Sequence, residues 1–460
     1  MEADTIAAIA TSAGEAGIGI VRVSGPASIK IARAVFRNFR NETVMNFIAR
    51  KMNYGKLVDP ITEEPIDEVL CVYMPAPYSY TCEDVFEFQT HGGTAVLRSV
   101  LGVLLRNGSR LAMPGEFTQR AYLNGRIDLS QAEAVMDIIR AKTESSLKNA
   151  TGLLSGNLSI RIAGIRKILL DFLAHIEANL DYPEEEISAI DGDKMETELL
   201  AAIQLIDDLL ATAQKGIIFR EGLRTVIVGR PNVGKSSLMN ALLGENRALV
   251  TEIPGTTRDS IEEYLNLRGI PLRIVDTAGL RESEDLIELM GIQRTKDFLS
   301  SAALILFLID ASQPPTADDE AIFRSLPPVP VIIVVNKVDL PQLTDSKQWA
   351  DRVGSHRVVS LSAKEGTGFE ELEQAIEQLV FQGAVQSNEA VFINNSRHVE
   401  SLNRAHEQLL SAVTALREGL PVDCAVVDLR EVLESLGQIT GESVSDEVVR
   451  EIFAKFCLGK

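Results

Sequence analysis

The sequence predicts a multidomain protein of mixed α+β and α/β class, in which an all-α domain is interrupted by an inserted α/β domain. Three observations carry this. Residues 1–120 mix short strand-like runs with one helical stretch and repeat no βα unit. Residues 121–215 and 381–460 show long amphipathic helical periods. Residues 216–380 alternate apolar strands with helices after a glycine-rich turn, the pattern of a doubly wound sheet.

The elements follow in chain order. Ile18–Val23 and Val85–Phe88 read as strands, and Val69–Tyr73 is expected to pair with Tyr54–Val58 across the Asp59–Pro60 turn. Thr94–Arg106 reads as a helix. From Asp128 the texture changes. Ser130 with Glu133 fits a capping box, and Leu129, Ala132, Val135, Met136 and Ile139 recur at helical spacing. Similar periods run through Leu147–Leu170 and Leu199–Ala213, then return in Val399–Leu416, Val426–Leu436 and Val444–Phe456. Such helices are expected to pack as one bundle built from both flanks of the insert.

Composition narrows the function classes. The 460 residues, 45% apolar and 24% charged, suit an ordinary globular chain. Cys71, Cys82, Cys424 and Cys457 form no CxxC pair and no metal-ligand spacing, which fits a reducing, cytoplasmic setting without disulfides. The opening MEADTIAAIA has acid where a secretory signal has base. The longest apolar run, Ala302–Ile309, falls short of the roughly 20 residues that span a bilayer, so it reads as a buried parallel strand and no membrane partner is expected. A net charge of −20 weighs against tight autonomous binding to nucleic acid, leaving an RNA presented by a partner or gripped through a local patch.

The motifs carry the chemistry. Gly229-x4-Gly234-Lys235-Ser236 (GRPNVGKS) follows the strand-like Thr225–Val228 and precedes the helix-like Ser237–Leu243. A glycine-rich turn there lets backbone N–H groups, including those of Asn232, Val233 and Ser237, wrap phosphates at a helix N-terminus. Lys235 is expected to reach the β- and γ-phosphates and the Ser236 hydroxyl to bind Mg²⁺. Asp276-Thr277-Ala278-Gly279 follows the strand Leu272–Val275, where an acid can hold Mg²⁺ through water and a glycine N–H can sense the γ-phosphate. Asn336-Lys337-Val338-Asp339 ends the strand Val331–Val335, and its Asp can accept hydrogen bonds from the guanine N1–H and 2-amino group. Ser362-Ala363-Lys364 can place a backbone N–H on the guanine O6. In this order, the motifs select GTP and predict a Ras-like P-loop domain that hydrolyses it.

One position breaks the pattern. Ras-like enzymes set a glutamine after the DxxG glycine to orient water; here it is Leu280. Asn232 and the run Thr251-Glu252-Ile253-Pro254-Gly255-Thr256-Thr257 suggest a substitute. Thr257 or Thr256 would complete the Mg²⁺ shell, Asn232 with loop carbonyls could hold a monovalent cation beside the phosphates, and Glu288 is a candidate for orienting water.

Over nearly its whole length the chain resembles the tRNA modification GTPase family MnmE, also called TrmE. The resemblance rests on GIVRVSGP, EDVFEFQTHGG, PGEFTQRAYLNGRIDLSQAEA, GRPNVGKSSLMNALL, EIPGTTRD, DTAGLRE, ITGE and the final FCLGK. It implies an N-terminal folate-binding and dimerisation domain (1–120), a helical domain in two parts (121–215 and 381–460) and a G domain (216–380). It also implies a homodimer, a tetrahydrofolate derivative (5-formyl or 5,10-methylene), and a flavoprotein partner, MnmG, in a heterotetrameric or larger complex. With that partner, the family forms a carboxymethylaminomethyl or aminomethyl group on the wobble uridine of tRNA. Carried over by motif, the folate contacts are Arg22, Glu87, Arg126 and Lys460; some relatives carry lysine at position 126, which keeps the charge and changes hydrogen-bond geometry. K⁺ falls to Asn232, Thr251, Ile253 and Thr256, Mg²⁺ to Ser236 and Thr257, and water orientation to Glu288. Without the resemblance, Glu87 between Phe86 and Phe88 reads as a solvent-facing residue of an edge strand. Cys457 reads either as a neighbour of the folate or as a small buried apolar group. The rival readings are an Era-like ribosome-assembly switch, which usually carries a basic RNA-binding domain, and a regulatory switch with no RNA role.

Overall fold

A computed structural model describes residues 4–12, 14–181, 192–246, 262–275, 299, 301–344, 349, 356–381, 392–420 and 422–460. The chain divides into two compact units, Met1–Met136 with Glu434–Lys460, and Asp137–Leu433.

The first unit is built on a seven-stranded sheet. Its strands are β1 (Ile6–Ile9), β2 (Ala16–Ser24), β3 (Phe36–Asn38), β4 (Met52–Val58), β5 (Pro65–Met74), β6 (Val85–Gly92) and β7 (Arg110–Leu111), in the spatial order β3-β4-β5-β6-β2-β1-β7. The expected hairpin is β4–β5, with Tyr54 opposite Leu70. Alternate residues Val21, Val23, Cys71, Phe86 and Phe88 are buried against α1 (Ser28–Val35) and α2 (Thr94–Arg106). Period-two burial of this kind fixes the register, because a one-residue slip would turn every one of these side chains to the other face. Each large side chain so buried contributes about 1.5–3 kcal/mol. Strand β6 lies between β5 and β2, so the edge-strand reading of Glu87 is corrected: its neighbours on both sides are paired.

Helices α3 (Glu116–Leu123), α4 (Leu129–Arg140) and α14 (Asp446–Ala454) complete this unit around Leu129, Met136, Val449 and Phe453. The capping box of α4 sits two residues earlier than the Ser130–Glu133 expectation. Asp128 accepts from the Gln131 N–H at 2.9 Å while Gln131 Oε1 accepts from the Asp128 N–H at 2.9 Å. An aspartate at the cap outcompetes the serine because it stands directly before the first helical residue.

In the second unit, the single period Leu147–Leu170 resolves into α5 (Glu144–Leu154) and α6 (Asn157–Asp181). Gly156, at φ 84°, takes the left-handed step that ends α5. Helices α7 (Gly192–Leu210) and α8 (Ala213–Glu221) follow. The inserted α/β domain comprises β8 (Leu223–Val228), α9 (Lys235–Asn246), β9 (Glu262–Leu267), β10 (Ile270–Val275), β11 (Leu304–Asp310), α10 (Ala317–Arg324), β12 (Val331–Asn336), β13 (Arg357–Ser360) and α11 (Phe369–Phe381). Sheet order is β13-β12-β11-β8-β10-β9, parallel except for β9. Every residue of β11 is buried, which is why its sequence is a continuous apolar run. The chain then returns through α12 (Ser396–Arg417) and α13 (Val422–Thr440).

Side chains from before the insert grip backbone from after it. Asn149 accepts from the Phe392 N–H at 3.0 Å, Thr212 Oγ1 accepts from the Ile393 N–H at 3.1 Å, and Arg166 donates to the Leu433 carbonyl at 2.7 Å. Within the second unit, segments on either side of the α/β insert are thus joined by side-chain to backbone bonds. Among the described residues, no helix is long and apolar enough to cross a membrane.

Candidate functional site

The phosphate loop leaves β8 between two parallel neighbours, β10 and β11, at the carboxyl end of the sheet where order reverses and ligands bind in such folds. Its glycines are required by space as well as by backbone angle. A Cβ on Gly229 would stand 2.4 Å from the Leu308 carbonyl oxygen, and one on Gly234 would stand 2.2 Å from Asn336 Nδ2. Val233 is buried and anchors the loop from below, while Asn232, Ser236 and Ser237 are exposed. Lys235 Nζ donates to the carbonyls of Gly229 and Arg230, each at 2.7 Å, so its ammonium lies within the turn that the motif assigns to phosphate.

The Asn336-Lys337-Val338-Asp339 and Ser362-Ala363-Lys364 segments are tied to that loop. Asn336 donates to the Val233 carbonyl at 2.8 Å and accepts from the Ala363 N–H at 3.0 Å. Lys337 donates to the Asn232 carbonyl at 2.8 Å and pairs with Asp310 at 2.6 Å. Ser362 Oγ donates to Asp339 Oδ1 at 2.6 Å. That hydroxyl, with Lys364 and Lys337 nearby, holds the Asp339 carboxyl below the usual carboxylate range, so it stays ionised as an acceptor. Lys364 itself is exposed and lies beside Glu365.

Asp310 was not expected from the motifs. It ends β11, is 4% exposed, and accepts from both the N–H and the hydroxyl of Ser312. Burial pushes its carboxyl up, and the hydrogen bonds from Lys337 and Ser312 outweigh that and bring it below its ordinary value. The available signal was an acid at the end of an otherwise apolar strand at the ligand-facing edge of the sheet. Thr251, Glu252, Ile253, Pro254, Gly255, Thr256, Thr257, Asp276, Thr277, Ala278, Gly279, Leu280 and Glu288 lie outside the described residues.

A second constellation sits in the first unit. Arg22 on β2 and Glu87 on β6 are direct partners in the antiparallel register. The Arg22 Nε donates to Glu87 Oε1 at 2.8 Å, with both side chains largely covered. The Arg22 guanidinium lies 5.7 Å from the Tyr80 ring and 5.5 Å from the Phe117 ring. Arg126 stacks on the same Tyr80 at 4.8 Å and donates to its carbonyl at 3.2 Å. The Lys460 carbonyl accepts from the Phe117 N–H at 3.2 Å, and a Cβ on Gly459 would meet the Ile9 carbonyl oxygen at 2.1 Å. The backbone of the final segment is thus bonded to α3 and passes close against β1. Tyr80, which links both arginines, was missed because an isolated tyrosine gives no pattern in sequence. Cys457 is exposed, which corrects its reading as a small buried apolar group.

Such a donor set fits a flat, partly anionic ligand: two cations backed by aromatic rings, and one carboxylate able to accept N–H groups from a heterocycle edge.

Comparison with known proteins gives two family matches in succession along the chain. Residues 129–457 match the family described as MnmE helical domain, and residues 5–126 match the GTP-binding protein TrmE N-terminus. A tRNA modification GTPase MnmE of Heliobacterium modesticaldum is 47% identical over 100% of both chains. Another, of Alkaliphilus metalliredigens, is 45% identical over 99% of both chains. Among solved structures, the G domain of the T. maritima FeoB iron transporter is 26% identical, covering 34% of this chain and 96% of that one at a TM-score of 0.26, too low a score to weigh.

Proposed function

The chain belongs to the MnmE family of tRNA modification GTPases, and from that premise we propose how its two constellations share the work. The protein is a GTP hydrolase that uses Mg²⁺. The observation that carries the site assignment is the bonded chain from the phosphate loop through Asn336 and Lys337 to Asp339 and Ser362. It supports reading the ionised Asp339 as the acceptor for guanine beside the phosphate loop.

In this reading, Lys235 and the N–H groups of Asn232, Val233, Gly234, Ser236 and Ser237 hold the phosphates, and Ser236 with Thr257 holds Mg²⁺. Asp276 holds Mg²⁺ through water, and the Gly279 N–H senses the γ-phosphate. The Ala363 N–H is taken by Asn336, so the Lys364 N–H is the candidate donor to the guanine O6. Leu280 cannot orient water. K⁺, held by Asn232, Thr251, Ile253 and Thr256, supplies positive charge beside the phosphates, and Glu288 orients the attacking water.

Arg22, Glu87, Arg126 and Lys460 hold the folate, and Arg22 and Glu87, paired at 2.8 Å, meet the same part of it. When bound, the folate supplies a one-carbon unit. Acting as a homodimer with the flavoprotein MnmG, in the cytoplasm, the protein forms the aminomethyl-type modification on wobble uridine. The net charge of −20 favours tRNA being presented largely by the partner.

Hydrolysis rates at equal ionic strength in KCl and NaCl test the cation assignment. Faster turnover in KCl, erased by Asn232→Ala, supports it; equal rates refute it. Mass spectrometry of wobble uridines in cells lacking the protein tests the pathway, and unchanged nucleosides would sink it.

A further inference from the structure

Arg230 is the first variable residue of GRPNVGKS, and no motif role attaches to it. Its Nε lies 2.7 Å from Asp319 Oδ1. Asp319 is 2% exposed and sits in the first turn of α10. Its other oxygen accepts from the Thr316 N–H at 3.0 Å and the Thr316 hydroxyl at 2.8 Å, closing a capping box with Thr316. Capping needs one of the two carboxylate oxygens. The second is spent on the phosphate loop.

The backbone of Arg230 faces the opposite task. Its carbonyl, with that of Gly229, receives Lys235 Nζ at 2.7 Å. The residue whose side chain is tethered to Asp319 is therefore one of the two whose carbonyls place the phosphate-binding ammonium. Releasing the side chain frees the peptide that locates Lys235, and leaves a carboxylate buried without its cation.

We propose that Arg230 and Asp319 form a positioning pair for the phosphate loop, acting on nucleotide affinity through the Gly229–Arg230 carbonyls and Lys235. The proposal rests on this loop holding the GTP phosphates. A simpler role for Arg230, adding positive charge near a polyphosphate, predicts the opposite sign at the partner. If charge alone matters, Asp319→Asn removes a negative group and strengthens binding. If the pair positions the loop, it weakens binding.

The test is titration of the full chain with a fluorescent GDP analogue. Arg230→Met keeps the aliphatic stem, and Asp319→Asn keeps an acceptor for the Thr316 cap. Each is expected to weaken binding about tenfold, the scale of one charge-assisted hydrogen bond. The double variant should be no weaker than either single one, because the two share one interaction. Arg230→Lys should restore part of the loss. Unchanged affinity in Arg230→Met, tighter binding in Asp319→Asn, or fully additive losses would each overturn the pair. A fall in melting temperature alone, at unchanged affinity, would make the contact structural and also overturn it. Failure of the unmodified chain to bind GDP would instead overturn the GTPase assignment, and this proposal with it.

Discussion

The nucleotide end of the α/β domain and the Arg22–Glu87 constellation of the first unit are built on opposite plans. The first relies on backbone: carbonyls of Gly229, Arg230, Asn232 and Val233 are each engaged by a side chain from the loop or from the NKVD motif. The second relies on side chains carried by neighbouring strands, with Arg22 and Glu87 meeting only because β2 and β6 are in register. A backbone site needs glycine at fixed spacing and so leaves a mark in sequence. A side-chain site assembled by strand register leaves almost none.

The contrast predicts that each site fails separately. The largest effect is expected for Lys235→Ala, which removes the ammonium from the phosphate turn and should lower single-turnover GTP hydrolysis by at least about 100-fold, with binding of 5-formyltetrahydrofolate unchanged. A matching loss of folate binding would show that the two sites are not independent. Next is Asp339→Asn. Losing an ionised acceptor for two guanine N–H groups should cost about 1.5–3 kcal/mol of GTP affinity, read by competition binding. Xanthosine triphosphate, whose 2-carbonyl accepts from the new amide, should gain. Third, Glu87→Gln should weaken folate binding about tenfold by loss of a charge-assisted contact, while GTP turnover stays at the level of the parent chain.

The smallest effect concerns stability and pH. His91 Nδ1 lies 2.7 Å from Asp67 Oδ1, and that hydrogen bond and charge raise its pKa above the ordinary 6.5. The folded value exceeds the unfolded one, so the stabilisation is complete below about pH 6.5 and is lost as pH rises through the folded value. His91 is 72% exposed, so the gain is slight. Thermal melts of the parent chain and His91→Gln should differ at pH 5.5 and converge at pH 8. A gap that widens with pH would contradict the pairing.

Much of the fold was legible because burial is periodic. The apolar run Ala302–Ile309 required a strand covered on both faces, found at Leu304–Asp310, and Thr94–Arg106 carries its buried residues at helical spacing. Capping was harder to place. Asp128 and Ser130 both qualify as caps by type, and only the position of the first helical residue decides between them. The interior position of β6 was not legible at all, since strand order is set by pairings between segments far apart in the chain. Tyr80 and Asp310 were missed for a related reason. Each acts by joining residues that sequence separates, Tyr80 under two arginines and Asp310 beneath Lys337.

The first unit draws on Met1–Met136 and on Glu434–Lys460, with Asp137–Leu433 between them. On the ribosome, at about 5–20 residues per second, the early segment waits roughly 15 to 60 s for its late one. Until then the Ile9 carbonyl and the Phe117 N–H, which the last residues approach or bind, face whatever else is present. Translation speed through the inserted domain thus becomes a folding variable for a sheet that contains none of it.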